Sequence, residues 1–436
     1  MQTEYRQRRE QLMAKIGNGT GIFRSAPMAV MHNDVEYVYR QDSDFFYLTG
    51  FNEPEAVAVL APHHSEHRFI LFVQPKDLEK EVWTGYRCGV DAAKEIYGAD
   101  AAYPIHELDE KLPQYLEKAD RIYYHLGRDR SFNETILTHY QKLLRTYPKR
   151  GTGPIGIEDP GPILHSMRLI KSEGELALMR KAADIAIEAH NHALQVTAPG
   201  RYEYEIQAEM EHIFRLRGAM GPAYPSIVAS GANACVLHYI ENNRQMQSKD
   251  LLLIDAGCAY EYYNSDITRT FPVGGKFTPE QKALYEIVLE AQKQAIAQVK
   301  PGNSFHAPHE QAVRILTTGL VELGLLKGDI DTLITEEKYK PFYMHRTSHW
   351  LGLDVHDAGA YQHGEHPQTL QPGQVLTIEP GIYIVPATKP PEDQPEIDPR
   401  WLGIGIRIED DVLVTPQGHE VLTAGVPKEV QEVERF

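Results

Sequence analysis

Cysteine is scarce in this sequence: Cys88, Cys235 and Cys258 are the only 3 in 436 residues. So few thiols cannot staple a chain of this length, which excludes a disulfide scaffold and fits a reducing compartment. Long apolar runs are also missing. LLLI at 251–254 is far too short to span a bilayer. The N-terminal MQTEYRQRREQLMAKIG is charged and lacks the apolar stretch of a secretory signal, so the cytoplasm is the expected compartment and no membrane partner is expected. Basic residues are outnumbered, 44 Lys+Arg against 61 Asp+Glu, a formal charge of −17. That balance disfavours a broad nucleic-acid footprint. There is no Walker loop, no serine nucleophile elbow and no HExxH. The GxGxR at 403–407 opens no glycine-rich turn into a helix, so it is no dinucleotide fingerprint.

What is present reads as an ordinary globular chain, 24% charged and 42% hydrophobic. At roughly 100–200 residues per domain its length predicts two or three domains. AVAVLAP at 56–62, FILFVQ at 69–74 and FFYLTG at 45–50 read as strands. A short helix ends near Gly98, and 109–145 is mostly helical around a strand in RIYYHLG at 121–127. This is an α/β pattern. TGPIGIEDPGP at 152–162 reads as a linker, which predicts an N-terminal domain over 1–168 and a second over 169–436.

The second domain repeats itself. Ser172 with Glu175 caps a helix through about Val196, and Thr278-Pro279-Glu280-Gln281 opens another. Glu188-Ala189 before Pro199–Gly200 is echoed by Glu290-Ala291 before Pro301–Gly302, and each Pro-Gly precedes a further helix. LLLIDAG at 251–257 is echoed by VLTIEPG at 375–381. The repeat predicts a duplicated helix-helix-strand unit on a pseudo-two-fold, with Asp255 and Glu379 at equivalent strand ends.

Two more carboxylates join them. Asp266 opens DITRTF, a returning strand, and Glu409 lies in GIGIRIEDDVLV at 403–414, read as one alternating strand, on the face shared by Arg407. Asp410 and Asp411 are expected to point outward or to back the site from behind. Clustered buried carboxylates repel unless paired or coordinated, and divalent cations answer that repulsion. Two ions with a nitrogen donor make a hydrolytic site. The donor is expected from MHRTSHWLGLDVHD at 344–357, where His345, His349 and His356 are candidates. His363 and His366 read as surface.

Taken together, YRQDSDFFYLTGFNEPEAVAVL, MRLIKSEGELALMRKAADI, LHYIENN, LLLIDAGCAYEYYNSDITRTF, SHWLGLDVHDAG, VLTIEPGIYI and GIGIRIEDDVLVT resemble the bacterial aminopeptidase P (Xaa-Pro aminopeptidase) branch of the pita-bread metallopeptidases over nearly the whole chain. The resemblance implies an α/β N-terminal domain and an α+β pita-bread catalytic domain. It implies five ligands to two divalent ions, usually manganese: Asp255, Asp266, His349, Glu379 and Glu409, with Asp266 and Glu409 bridging. Glu379 would also act as general base. His238 and His356 match substrate-handling histidines, His345 an accessory histidine, and Arg407 an arginine behind the cluster. Trp83 resembles an aromatic that closes a neighbouring subunit's site, which implies a homo-oligomer, a tetramer by preference. The implied substrates are peptides with proline second. Prolidase, which takes Xaa-Pro dipeptides, shares all five ligands and is the alternative; a non-enzymatic binding protein of the same fold is the remote one. Arg346, where relatives often have glycine, and the Pro- and acid-rich loop at 385–401 depart from the pattern.

Overall fold

The computed structural model describes residues 2–434. The chain divides into two compact units, Met1–Met167 and Arg168–Phe436. In the first, a six-stranded mixed sheet runs in the order Ala101–Pro104, Phe69–Val73, Val57–Leu60, Thr20–Arg24, Ile122–Tyr123, Ile157–Glu158. Phe69–Val73 and Val57–Leu60 are buried along their whole length, which is why they read as unbroken apolar runs. The helices Leu108–Leu116 and Arg130–Arg150 bring Leu112, Tyr115 and Ile136 into a core with Ile22, Val59 and Phe72.

Two expectations for this unit are corrected. FFYLTG is not a strand: Ser43–Thr49 is a helix, with the Asp42 side chain accepting from the Phe45 N–H and Gly50 closing it in the left-handed conformation. All seven residues are buried, so the run shows neither period, and only the cap at Asp42 and the stop at Gly50 distinguish helix from strand. The stretch 152–162 is not a free linker either. Ile157–Glu158 is the edge strand of the sheet, parallel to Ile122–Tyr123, and Gly161 begins the helix Gly161–Leu169.

The second unit opens on the expected capping box, Ser172 and Glu175 bonding each other's backbone N–H at the start of Glu173–Val196. Thr278 and Gln281 do the same for Pro279–Ile296. Each long helix packs on the helix that follows its Pro-Gly stop, Glu203–Leu216 in one half and Ala307–Glu322 in the other. Leu251–Asp255 lies antiparallel between Ile227–Ser230 and Thr268–Pro272. In the other half Val375–Ile378 pairs with Asp410–Thr415, and Gly381–Ile384 pairs with Ile404–Arg407. This is the α+β pita-bread arrangement, with its helix-helix-strand unit used twice.

The glycine two residues beyond each strand-end carboxylate has the same use in both halves. A Cβ on Gly257 would stand 1.8 Å from the Ser265 carbonyl oxygen, and one on Gly381 would stand 2.7 Å from that of Ile406. Backbone passes where a side chain would sit, so the chain that carries Asp266 closes against the chain that carries Asp255.

The alternating stretch 403–414 is two strands rather than one. It pairs first with Gly381–Ile384 and then with Val375–Ile378, and changes partner at Ile408–Glu409. At that break the Glu409 N–H bonds the Thr268 carbonyl at 3.0 Å, which joins the two halves. Asp410 and Asp411 do not point outward; both are buried. Asp410 is paired with Arg269 at 2.7 Å and Lys428 at 2.6 Å, and Asp411 accepts the Asp266 N–H at 3.0 Å.

Candidate metal centre

The four carboxylates converge from four separate places in the chain. Asp255 ends its strand, Asp266 precedes Thr268–Pro272, Glu379 follows Val375–Ile378, and Glu409 sits at the strand break. Asp266, His349 and Glu409 offer ligand atoms within 4.8 Å of one another. His349 Nε2 lies 3.4 Å from Asp266 Oδ2 and 3.5 Å from Glu379 Oε1. Its Nδ1 bonds the Trp350 carbonyl at 3.0 Å. A proton on Nδ1 for that bond leaves Nε2 to face the carboxylates, where it can carry a proton or, as in a metal-ligating histidine, give its lone pair to an ion.

Hydroxyls and one guanidinium hold the carboxylates in place. Tyr224 Oη lies 2.6 Å from Asp255 Oδ1 and 2.5 Å from Asp266 Oδ1. Thr268 donates to Glu409 Oε2 at 2.6 Å, and Thr377 donates to Glu379 Oε1 at 3.2 Å. Arg407 donates to Asp255 Oδ2 at 2.6 Å, to Tyr383 Oη at 2.9 Å and to Thr268 Oγ1 at 3.1 Å. Tyr383 in turn lies 2.8 Å from His345 Nε2, while His345 Nδ1 bonds the Arg346 carbonyl at 2.8 Å. With Nδ1–H donating to that carbonyl and Nε2 accepting from Tyr383, His345 is neutral. Burial and the Arg407 charge push its pKa down to about 3.

The electrostatics of the cluster call for cations. Burial raises Glu379 to about 7 and puts Glu409 well above the usual carboxylate range, with Asp266 and Glu379 adding repulsion at Glu409. Burial raises Asp255 as well, although Arg407 opposes it. Asp266 alone stays below its ordinary value: burial works against it, but the hydrogen bond and charge of His349 prevail. His349 is raised to about 9 against its own burial by Asp266 and Glu379. Without metal the site is a proton trap. Four carboxylates, Asp266 and Glu409 buried and Asp255 and Glu379 largely so, form with one imidazole nitrogen an oxygen-rich donor set that fits divalent ions, which would replace those protons.

Of the other predicted residues, His356 is the one set directly against a member of this cluster. The His356 ring stands 4.4 Å from the His349 ring at 69°. His356 keeps an exposed edge; the protein packed around the rest of its ring, and then the neighbouring His349, lower its pKa. His238 is exposed and within electrostatic reach of both His345 and His356. Arg346 is exposed, and its carbonyl, not its guanidinium, serves the site. His363 and His366 form an exposed two-residue hairpin. Trp83 lies in the first unit and is 87% exposed. Sequence reasoning missed Tyr224, Thr268, Thr377 and Tyr383. For two of these a signal existed: Thr268 follows Asp266 by two residues and Thr377 precedes Glu379 by two, the spacing of side chains on one face of an extended chain. GPAYPS around Tyr224 carries no such signal.

Behind the cluster, His190 on the helix Glu173–Val196 bonds the Ala256 carbonyl at 2.8 Å, in the two-residue link after the strand that Asp255 ends. Burial pushes its pKa down to about 4 from an ordinary 6.5. An unfolded chain therefore binds this proton before the folded one does. The stability His190 confers is complete above pH 6.5 and is lost as pH falls towards 4, by roughly 3 kcal/mol. Urea midpoints measured between pH 7.5 and about 4.5 should fall less in His190→Gln than in the parent; parallel curves would contradict this.

Residues 177–416 match Metallopeptidase family M24, and residues 5–123 match the Aminopeptidase P N-terminal domain. The chain belongs to metallopeptidase family M24. Among its relatives, the Xaa-Pro aminopeptidase of Escherichia coli K12 is 44% identical over 433 residues, covering 99% of this chain and 96% of that protein. The solved structure of Pseudomonas aeruginosa aminopeptidase PepP is 49% identical, with a TM-score of 0.95 over 100% of this chain and 97% of that one. Zinc-substituted E. coli aminopeptidase P in complex with product is 43% identical, with a TM-score of 0.94 over 100% and 97%. The M24 match spans every one of the four carboxylates and His349. None of the described helices is long and apolar enough to cross a membrane.

Proposed function

We propose that this protein is an Xaa-Pro aminopeptidase, a metal-dependent hydrolase that releases the N-terminal residue from peptides with proline at the second position. The observation that carries the reading is the convergence of Asp255, Asp266, His349, Glu379 and Glu409 in one buried cluster, in a chain that aligns end to end with such enzymes. These residues, Asp266 and Glu409 among them, would hold two divalent ions, manganese by preference. When bound, such ions polarise the scissile carbonyl and lower the pKa of water to near neutrality.

The chain's own residues do the rest. Glu379, which accepts a hydrogen bond from Thr377 and lies beside His345, is the carboxylate that takes a proton from water and passes it on. His356, exposed beside His349, donates to the carbonyl oxygen as negative charge develops there. His238 orients the substrate. Arg407 stays charged and pins Asp255 and Tyr383, and Tyr383 in turn holds His345. An Xaa-Pro bond is tertiary and has no N–H to read, so recognition falls on the free α-amine and the proline ring. The acidic cluster suits the amine.

The proposed assembly is a homo-oligomer, a tetramer by preference, in the cytoplasm. Leu78, Val82, Trp83 and Tyr86 are between 79% and 93% exposed, and the helix Leu78–Thr84 buries none of its residues. That apolar face is suited to a neighbouring copy, with Trp83 near its active site.

The deciding experiment compares Xaa-Pro-Yaa with Xaa-Pro, after chelation and after manganese is returned. The tripeptide should be cleaved after its first residue, at least ten-fold faster than the dipeptide by kcat/KM, and only with metal. Turnover confined to the dipeptide would favour prolidase, and turnover that survives full chelation would refute the mechanism.

A further inference from the structure

His356 is carried by a segment with no regular structure of its own, because 351–360 forms neither helix nor strand. Its neighbour Asp357 is nonetheless among the most buried acids of the chain, its side chain 1% exposed. Both of its oxygens meet cations from the corner between the helices Gly161–Leu169 and Glu173–Val196. Lys171 Nζ lies 2.8 Å from Oδ2, and Arg168 Nη2 lies 2.5 Å from Oδ1. The Lys171 side chain is also 1% exposed. Arg168 further bonds Asp354 Oδ2 at 2.7 Å, so it grips the segment at two points.

The surroundings are shaped to this pairing. A Cβ on Gly352 would stand 2.3 Å from Asp357 Oδ2 and 2.9 Å from the Lys171 Cε, so only glycine leaves room for the ion pair. The Asp357 N–H bonds the Trp350 carbonyl at 2.8 Å, which closes the segment into a loop. The two residues flanking that closure are His349 and His356, whose rings stand 4.4 Å apart. The pair Trp350–Asp357 is thus the neck of the loop, and Lys171 and Arg168 hold the neck from outside.

We infer that Lys171 and Asp357 are positioning residues for the reaction: their buried ion pair, with Arg168, sets where the His356 imidazole stands beside the metal cluster. Neither touches substrate or the reacting atoms. The inference rests on the role proposed above for His356. A ring displaced by about 1 Å can forfeit up to two orders of magnitude in rate, because a hydrogen bond to developing charge is steeply geometric.

Removing one partner alone leaves a buried charge uncompensated and endangers folding. The test therefore uses the balanced double variant Lys171→Met/Asp357→Asn, which removes one charge of each sign, alongside His356→Ala and the triple combination. Each is assayed on an Xaa-Pro-Yaa tripeptide with manganese, with metal content and thermal midpoint recorded. The expected result for the double variant is a kcat lowered about 10–100-fold, KM within about three-fold and full metal content. In the triple variant the loss should be close to that of His356→Ala alone, since a misplaced ring and a missing ring fail in the same way. Losses that multiply would overturn the inference, because the pair would then act on something other than His356. So would an unchanged kcat in the double variant while His356→Ala is impaired. Full activity in His356→Ala itself would instead overturn the role of His356, and this inference with it. A metal content that falls in step with kcat would show that the pair serves the metal cluster and would likewise overturn it.

Discussion

Glu379→Ala is expected to lower kcat for an Xaa-Pro-Yaa tripeptide by about 10³-fold or more while the protein remains folded and still binds peptide. Two losses combine in that figure. A general base contributes roughly 10²–10⁴-fold, and a carboxylate of the metal cluster is removed with it. Burial raises Glu379 in the metal-free cluster, and His349 and Arg407 oppose that rise. Thr377 and His345 remain beside the vacated position, at 3.2 and 3.6 Å from the Glu379 oxygens in the parent, so the local fold has other support. Steady-state kinetics with metal analysis on the same samples is the check. A kcat within ten-fold of the parent, at full metal content, would remove Glu379 from its proposed role.

The second large effect sets function against stability. Glu409 is buried among three like charges and stands well above the usual carboxylate range. A carboxylate whose folded pKa is raised destabilises the fold wherever the unfolded chain would ionise it, which includes neutral pH. Glu409→Gln keeps the shape, and its amide oxygen can still accept from Thr268. In the metal-free protein this variant should be more stable than the parent by roughly 1–4 kcal/mol, since the parent must take up a proton at Glu409 on folding and the amide need not. With manganese present the order should reverse, because the parent gains binding energy that the variant cannot match. Its metal content should fall to one ion per chain or fewer, and turnover with it. Calorimetry in chelator and in manganese gives both comparisons. A metal-free midpoint below that of the parent would contradict the account of the cluster as mutually repelling carboxylates.

The buried ion pairs elsewhere in the second unit follow different arithmetic. Asp410 between Arg269 and Lys428, and Asp357 between Arg168 and Lys171, lie below the ordinary carboxylate value despite full burial, because each meets two cations. The candidate metal cluster has Arg407 and His349 for four carboxylates. That shortage of fixed cations is what suits it to metal ions, where the other two sites are already neutralised.

Much of this was legible in the linear sequence, and the reasons are local. Capping boxes at Ser172 and Thr278 announce helices because side chain and backbone pair within one turn. Apolar strands ending in Asp255 and Glu379 announce buried carboxylates because nothing else in those strands is polar enough to stay in water. Their repetition with Pro-Gly stops announced the duplication. FFYLTG was misread because a fully buried run has no polar face to set its period, and the short edge strand Ile157–Glu158 because two residues carry no pattern at all.

What the sequence determined by itself, then, was the family pattern, the duplicated unit and the identity of the carboxylates, since each is written in short motifs that can be read, and compared with one another, without knowing what they touch. Only the tertiary structure decided which hydroxyls and cations attend them. Tyr224 reaches Asp255 and Asp266, Arg407 reaches Asp255, and Lys171 reaches Asp357 from segments far apart in sequence. The net charge of −17 likewise said nothing of where charge is balanced. That balance is a matter of distance in a low-dielectric interior, where a few ångströms decide whether a carboxylate keeps a proton, meets an arginine or waits for a metal ion.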